Sequence, residues 1–170
     1  RLREYLSRHP RLSLNGRWYR LETVSTRERA RYAVEEGTRQ VRFFLNPRFA
    51  LESQIIALLR EIARERLPQR VAYWAGRHRI RVHGVRVRDQ RCRWGSCSET
   101  GGISLNWRLI LVSPRLQDHV ILHELAHLRY FDHSSSFHAF LCRLDRRADQ
   151  HARQLDEISA GIISLGRSDL

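Results

Sequence analysis

One stretch decides the fold: residues 113 to 137, which read SPRLQDHVILHELAHLRYFDHSSSF. It opens with Ser113 and a proline, a typical helix start, because serine caps the first turn and proline is tolerated at the first helical position. Apolar residues then recur as far as Leu128, which predicts a well-buried helix. His123 and His127 lie four residues apart, on one face of that helix and one turn from each other. Two imidazoles placed in this way can reach one ion.

A glutamate and a third histidine extend this pair into a zinc-site pattern. Glu124 directly follows the first histidine, where it can reach a metal-bound water without binding the metal. His133 follows His127 by six residues, the spacing of the third histidine in the long motif H-E-x-x-H-x-x-G-x-x-H. Tyr130 stands where that motif has glycine, so the turn must be built differently. Three neutral imidazoles with one open position predict a catalytic zinc ion, one per chain.

Several neighbouring side chains are candidates for supporting roles. Tyr130, His119 and Arg108 are candidates to stabilise the negative charge that develops on a carbonyl oxygen. His119 is expected to be structural or to support a ligand, because a fourth histidine ligand would close the site. Asp132 either orients a ligating histidine or caps the turn that follows it. Trp94 lies in a predicted loop and either takes part in the site or packs in the core.

The rest of the chain predicts one α+β domain. Residues 1–49 are expected to form an N-terminal β lobe of this domain, residues 50–161 its core and residues 162–170 a tail. Apolar spacing and turn residues predict the following elements: a hairpin at Asn15-Gly16, a strand at 41–45, a helix at 50–76 that Pro68 breaks or kinks, strands around 80–88 and 103–112, a loop at 93–97, and one amphipathic helix from Ser134 to Gly161. The strand at 103–112 is either an ordinary core strand or one that pairs with an extended peptide.

Composition excludes some classes of protein and leaves others open. The chain has 170 residues and 42% hydrophobic residues, with no apolar run long enough to span a membrane. Three cysteines, an odd number, favour free thiols and hence the cytoplasm. All 31 basic residues are arginines, against 18 acidic residues, and the excess lies in the first half. Arginines on the predicted strands therefore form either a solvated surface or a patch for nucleic acid or a nucleotide; these are Arg79, Arg81, Arg86 and Arg88.

Three stretches together resemble a known family. Residues 87–98 contain Arg-Trp-Gly-Ser-Cys, residues 102–109 read GISLNWRL, and residues 118–137 carry the histidines. In these stretches the chain resembles the YgjP-like metallopeptidases, a family related in fold to the SprT-like and WLM proteases and to the minimal gluzincin-type zincins. The chain has Asp132 where the family commonly has asparagine, and His138 where it has tryptophan.

The resemblance implies a zincin core with a small mixed sheet, an active-site helix, a C-terminal amphipathic helix and the N-terminal β lobe. It implies that His123, His127 and His133 bind zinc, that Glu124 is the catalytic acid and base, and that Asn106 lies close to the site. The expected function is a zinc metallopeptidase that cleaves peptides or unfolded proteins. Two alternatives stay open: a metal-dependent nucleotide phosphohydrolase, and a SprT-like protease associated with nucleic acid.

Overall fold

Five α-helices, one 3₁₀ helix and two small mixed sheets make up residues 1–167, the part of the chain that the computed structural model describes. In chain order the elements are α1 (Leu2–Arg8), β1 (Arg11–Leu14), β2 (Arg17–Ser25), β3 (Arg31–Glu35), β4 (Gln40–Leu45), α2 (Leu51–His78), β5 (Gly84–Arg88), β6 (Gly95–Cys97), β7 (Gly102–Asn106), the 3₁₀ helix (Trp107–Leu111), α3 (Pro114–His127), α4 (Ser135–Leu144) and α5 (Ala148–Ile163). The predicted α+β class is confirmed.

The first sheet consists of the N-terminal strands in the order β1-β2-β4-β3. Strands β1 and β2 are antiparallel around Asn15 and Gly16, whose φ angles of 50° and 81° lie in the left-handed region, so the predicted hairpin is confirmed. Strand β2 runs parallel to β4, which is antiparallel to β3. Strand β3 and helix α1 were not predicted from the sequence. Leu2 and Leu6 of α1 are both buried, because a spacing of four places them on one helix face.

Helix α2 is continuous through Pro68, so of the predicted break or kink at this residue the break is wrong. Proline removes one backbone hydrogen bond and crowds the preceding turn, at a cost of about 3 kcal/mol. The buried face nevertheless continues across it, from Leu67 before the proline to Val71 and Ala75 after it. Burial of these side chains on both sides of the proline offsets that cost and keeps one helix.

The second sheet has the order β5-β7-β6, with β7 parallel to β5 and antiparallel to β6. The predicted strand at 103–112 is wrong in its second half, because a 3₁₀ helix follows β7 directly. Asn106 caps that helix by accepting a hydrogen bond from the backbone N–H of Arg108, and all five residues of the helix are buried. Residues 95–97, predicted as loop, form the edge strand β6. Residues 80–82 precede β5 and lie outside the sheet.

Helix α3 begins as predicted, since the Ser113 side chain accepts a hydrogen bond from Leu116 N–H and Pro114 is the first helical residue. The start at Ser134 is confirmed in the same way, by a hydrogen bond from Phe137 N–H. The single helix predicted from there to Gly161 is wrong. The helix ends at Asp145, whose φ and ψ of −129° and 100° are extended, and α5 begins after it.

The buried hydrophobic side chains form one continuous cluster that includes members of both sheets and of every α-helix. The predicted tail starts inside α5, where Ile162 and Ile163 are buried, and Leu165 beyond that helix is buried too. Residues 168–170 of the predicted tail lie outside the described part. None of the helices in residues 1–167 has the length and apolar character needed to cross a bilayer.

Candidate functional site

Three histidines converge at the C-terminal end of α3. The Nε2 atoms of His123 and His127 lie 3.2 Å apart, and the imidazole rings of His127 and His133 have centroids 4.7 Å apart. One nitrogen from each ring lies within 4.8 Å of the others. His123 and His127 project from the helix, whereas His133 comes from the turn after it and is exposed. The structure therefore brings together the three histidines that the sequence spacing selects.

Two contacts orient these rings. His127 Nδ1 lies 3.0 Å from the backbone carbonyl oxygen of Tyr130, so the Nδ1–H donates to this oxygen and the Nε2 lone pair faces the other histidines. Phe137, fully buried, stacks on His127 with ring centroids 4.3 Å apart and meets His123 and His133 edge-on at 5.1 Å. Tyr130 has no positive φ, so this turn needs no glycine. Phe137 was not among the site residues predicted from the sequence.

The chemistry of these donors fits a zinc ion. Burial, with the neighbouring His127 and other histidines adding to it, lowers the pKa of His123 to about 3. Burial also lowers the pKa of His127, although its hydrogen bond to Tyr130 opposes the shift. Both rings are therefore neutral at neutral pH, the form that binds metals. Ligands of one tetrahedral zinc ion lie about 3.3 Å apart, close to the separation of the two Nε2 atoms.

Glu124 is a buried carboxylate beside this cluster, with only 6% of its surface exposed. Burial raises its pKa to about 7, and the positive charge of Arg93 opposes this shift. A carboxyl group with a pKa near neutrality can both accept and return a proton. Glu124 and His123 also line a cavity of about 300 Å³ with apolar walls that include Trp94, Val120 and Leu155.

The edge strand β6 passes directly over Glu124. A Cβ atom on Gly95 would lie only 2.9 Å from the Glu124 Oε1 and Cγ atoms, so the backbone approaches the carboxylate as closely as glycine allows. Strand β7 lies in the middle of its sheet, so the suggestion that residues 103–112 pair with a peptide is wrong, and β6 is the edge strand beside the site. The sequence signal for this close approach was Gly95 itself, directly after the bulky Arg93 and Trp94.

Two of the candidate side chains organise loops around the site. Asp132 is exposed and its Oδ1 accepts a hydrogen bond from the Ser134 N–H. Hydrogen bonding from the Ser134 side chain, and then from its backbone, lowers the Asp132 pKa. Asp132 therefore has the predicted turn-capping role, next to His133. Asn106 is fully buried, and its side-chain amide donates to the carbonyl oxygens of Gln90 and Arg93. It holds the segment that leads into β6.

Of the three candidates for charge stabilisation, only His119 lines the cavity beside Glu124. Tyr130 contributes its backbone carbonyl to His127, and its ring packs edge-on against Phe140. Arg108 is fully buried and binds Asp89 and the backbone carbonyl of Leu165, at 2.6 and 2.7 Å.

Trp94 is buried, and its indole N–H donates to the Ser159 hydroxyl over 2.8 Å. It thus combines the two roles left open for it, because the same ring forms part of the core and a wall of the cavity.

The four arginines of the predicted patch do not share one strand surface. Arg79 is the left-handed cap of α2, with φ 53°, and Arg81 lies between that helix and the second sheet. Arg86 and Arg88 are exposed on β5, as predicted. These two line a cavity of about 480 Å³ on the open face of the second sheet.

Comparison with known proteins identifies the family. The family model described as "YgjP-like, metallopeptidase domain" matches residues 2–158. Curated protein sequences give no significant match. Among solved structures, the metallopeptidase zymogen of Pyrococcus abyssi abylysin is similar, with 21% sequence identity and a TM-score of 0.48 over 54% of this chain and 94% of that chain. Because the family model spans most of the sequence, the chain belongs to the YgjP-like metallopeptidases and is a metal-dependent peptide hydrolase.

Proposed function

We propose that this protein is a zinc-dependent peptidase in which His123, His127 and His133 bind one zinc ion and Glu124 is the general base. The observation that carries this proposal is the convergence of three imidazole nitrogens within 4.8 Å of one another, beside a buried carboxylate. A zinc ion held by these three histidines would supply polarisation of the peptide carbonyl and a bound water whose pKa is lowered to about 7. Glu124 accepts the proton from this water and passes it to the leaving nitrogen.

The surroundings of Glu124 favour an extended peptide as the substrate. Strand β6 is one of the two edge strands of its sheet and passes over Glu124, so its outer backbone groups can pair with a peptide backbone. The apolar cavity lined by Trp94, Val120 and Leu155 is suited to one substrate side chain. His119 lines the same cavity and is the candidate placed to donate a hydrogen bond to the carbonyl oxygen under attack.

Replacing His133 by alanine is expected to remove the proposed catalytic zinc. His133 is exposed, so its loss should change the melting temperature by only a few degrees, whereas losing one of three ligands weakens zinc binding strongly. Zinc content per chain, measured by mass spectrometry after desalting, should fall by one equivalent. His138→Ala is the matched control, because that ring lies 6.4 Å from the His133 ring and is also exposed. Unchanged zinc in His133→Ala would refute the ligand assignment.

A second variant tests the contact between β6 and the proposed base. In Gly95→Ala the new methyl group meets the Glu124 carboxylate at 2.9 Å, so the carboxylate must move. We expect peptide turnover to fall about 10-fold or more, since small displacements of a catalytic group have large effects, while zinc content stays unchanged. Gly84→Ala is the control, because a methyl group there meets no atom within 4 Å. Full turnover in Gly95→Ala would show that this contact does not position the base.

The basic cavity supports a second candidate, a metal-dependent nucleotide phosphohydrolase. Arg86 and Arg88 line this cavity together with the hydroxyl groups of Ser96 and Ser104, a set that suits phosphate oxygens. Ser96 belongs to β6, the strand that passes over Glu124. Phosphate release from nucleoside triphosphates, measured beside cleavage of denatured casein, separates the two functions. Salt-sensitive binding of DNA or RNA would favour the third alternative, a protease associated with nucleic acid.

A further inference from the structure

A second cluster of metal-binding side chains lies next to the three histidines. His119 on α3 and His151 on α5 each place Nδ1 2.8 Å from the same oxygen, Asp145 Oδ2. One ligand atom from each of the three residues lies within 4.8 Å of the others. The side chains of His119, Asp145 and His151 are only 5%, 9% and 12% exposed. Neither Asp145 nor His151 has a part in the proposed peptidase mechanism.

The cluster lies where the helix predicted from Ser134 to Gly161 is interrupted between α4 and α5. The amphipathic pattern from Ser134 onward predicts one helix, yet α4 ends where Asp145 becomes extended. Asp145 Oδ1 then accepts a hydrogen bond from the Arg147 N–H, which fixes the carboxylate and leaves Oδ2 for the histidines. Residues from α3, from α5 and from the link between α4 and α5 thus meet at one oxygen atom.

The charge of this cluster is not balanced by any arginine. The ion pairs of the described residues give the Asp145 carboxylate two partners, His119 and His151. Burial tends to raise the Asp145 pKa, but the hydrogen bonds from these two rings outweigh it and bring the value to about 2, so the group is ionised. A buried carboxylate needs polar or charged partners, and the partners here are two imidazole nitrogens, which are themselves metal-binding groups.

We propose that His119, Asp145 and His151 form a second divalent-cation site, separate from the one at His123, His127 and His133. Two imidazole nitrogens and one carboxylate oxygen are the donors preferred by zinc, whereas calcium and magnesium favour oxygen ligands alone. Ligands of a tetrahedral zinc ion are about 3.3 Å apart, so each 2.8 Å contact needs to open by about 0.5 Å. A water molecule completes the fourth position.

An ion at this site would connect the catalytic helix with the C-terminal helix. His119 lies one turn before His123, with ring centroids 6.3 Å apart, and it lines the cavity beside Glu124. Binding through Nδ1 places the remaining proton on Nε2 and fixes the orientation of the ring. The second ion therefore has a structural role that holds His119 in place.

Metal stoichiometry tests this site independently of activity. The full chain is loaded with zinc, desalted and analysed for zinc per chain. We expect two equivalents in the original protein, one in Asp145→Asn, one in His133→Ala, and none in the double variant. Asparagine keeps an acceptor oxygen for both imidazole N–H groups, so Asp145→Asn preserves a hydrogen-bonded clamp while removing the charged ligand. A similar melting temperature verifies that the variant is folded.

The outcomes separate this site from the proposed catalytic one. One equivalent in the original protein, unchanged in Asp145→Asn, would overturn the second site and leave a hydrogen-bonded clamp. Loss of one equivalent in Asp145→Asn together with no loss in His133→Ala would support the second site and contradict the catalytic one. Should Asp145→Asn fail to fold, a zinc-edge anomalous difference map of the original protein decides: a peak between the two Nδ1 atoms and Oδ2 supports the proposal, and its absence refutes it.

Discussion

Glu124→Gln is expected to lower peptide turnover at least ~10²-fold, the size of effect typical of a lost general base. Zinc content and melting temperature should stay nearly unchanged. Glutamine has the shape of glutamate and can form hydrogen bonds, but at neutral pH it neither accepts nor returns a proton. The cation whose charge acts on Glu124 is Arg93, which is exposed to solvent, so loss of the Glu124 charge leaves no buried cation without a partner. The loss of rate without loss of stability is therefore specific to a catalytic role.

The decisive experiment measures zinc stoichiometry and turnover number on the same preparation of Glu124→Gln. Glu99→Gln is the matched control, because Glu99 is exposed in the turn between β6 and β7 and carries the same charge change. It should keep full turnover. Full activity of Glu124→Gln with zinc still bound would refute the proposed mechanism.

The histidine cluster was predictable because it depends on local geometry. A helix places residues four apart on one face, and Ser113 marks its start, so His123 and His127 had to lie together once the helix was recognised. His133 required only a short turn. The family resemblance assigned these residues the same roles, which the helix geometry makes physically reasonable.

Other parts of the site depend on tertiary contacts that a local pattern does not contain. The hydrophobic pattern continues through Asp145, but the helix ends there, where the Asp145 carboxylate meets His119 and His151 from two other helices. At Pro68 the opposite occurs, because packing of the next two turns keeps a helix that proline tends to break. In both cases tertiary contacts outweigh the local preference.

The edge strand β6 illustrates the same limit. Residues 95–97 form too short a segment to show an alternating pattern, and glycine and serine favour turns, so a loop was the natural prediction. Pairing with β7 makes it a strand, and contact with Glu124 explains the glycine. The strand predicted over residues 103–112 was wrong in its second half because a strand-like pattern there belongs to a helix. Its apolar run fits a strand as well as a buried 3₁₀ helix, and the Asn106 cap decides between them.

A second variant with a large expected effect is Asp89→Asn, which concerns stability. Asp89 pairs with arginines from three parts of the chain: Arg60 on α2, Arg108 in the 3₁₀ helix and Arg167 near the C-terminus. Burial raises the pKa of Asp89, but the hydrogen bond from Arg108 and the charges of the three arginines outweigh it and lower the value. The carboxylate is therefore the common counter-charge of this cluster.

Removing the Asp89 charge destabilises the folded protein mainly through its effect on Arg108. Its side chain is fully buried, and its Nη2 atom already lacks a hydrogen-bond partner, whereas the Asp89 side chain is 37% exposed. In Asp89→Asn the buried guanidinium loses its counter-charge and still faces two other arginines. Breaking a buried pair in this way costs about 3–5 kcal/mol, and we expect about 3 kcal/mol because Asp89 is partly exposed.

Urea denaturation of three variants distinguishes this account from a simple loss of contacts. Arg108→Met should destabilise the protein less than Asp89→Asn, because the remaining carboxylate keeps two arginines and reaches solvent. The double variant should be more stable than Asp89→Asn alone, since it contains no buried unpaired charge. Equal losses in both single variants that simply add in the double variant would contradict this explanation. Arg108→Met should also keep full peptide turnover, because Arg108 binds Asp89 and Leu165 rather than any residue of the histidine cluster.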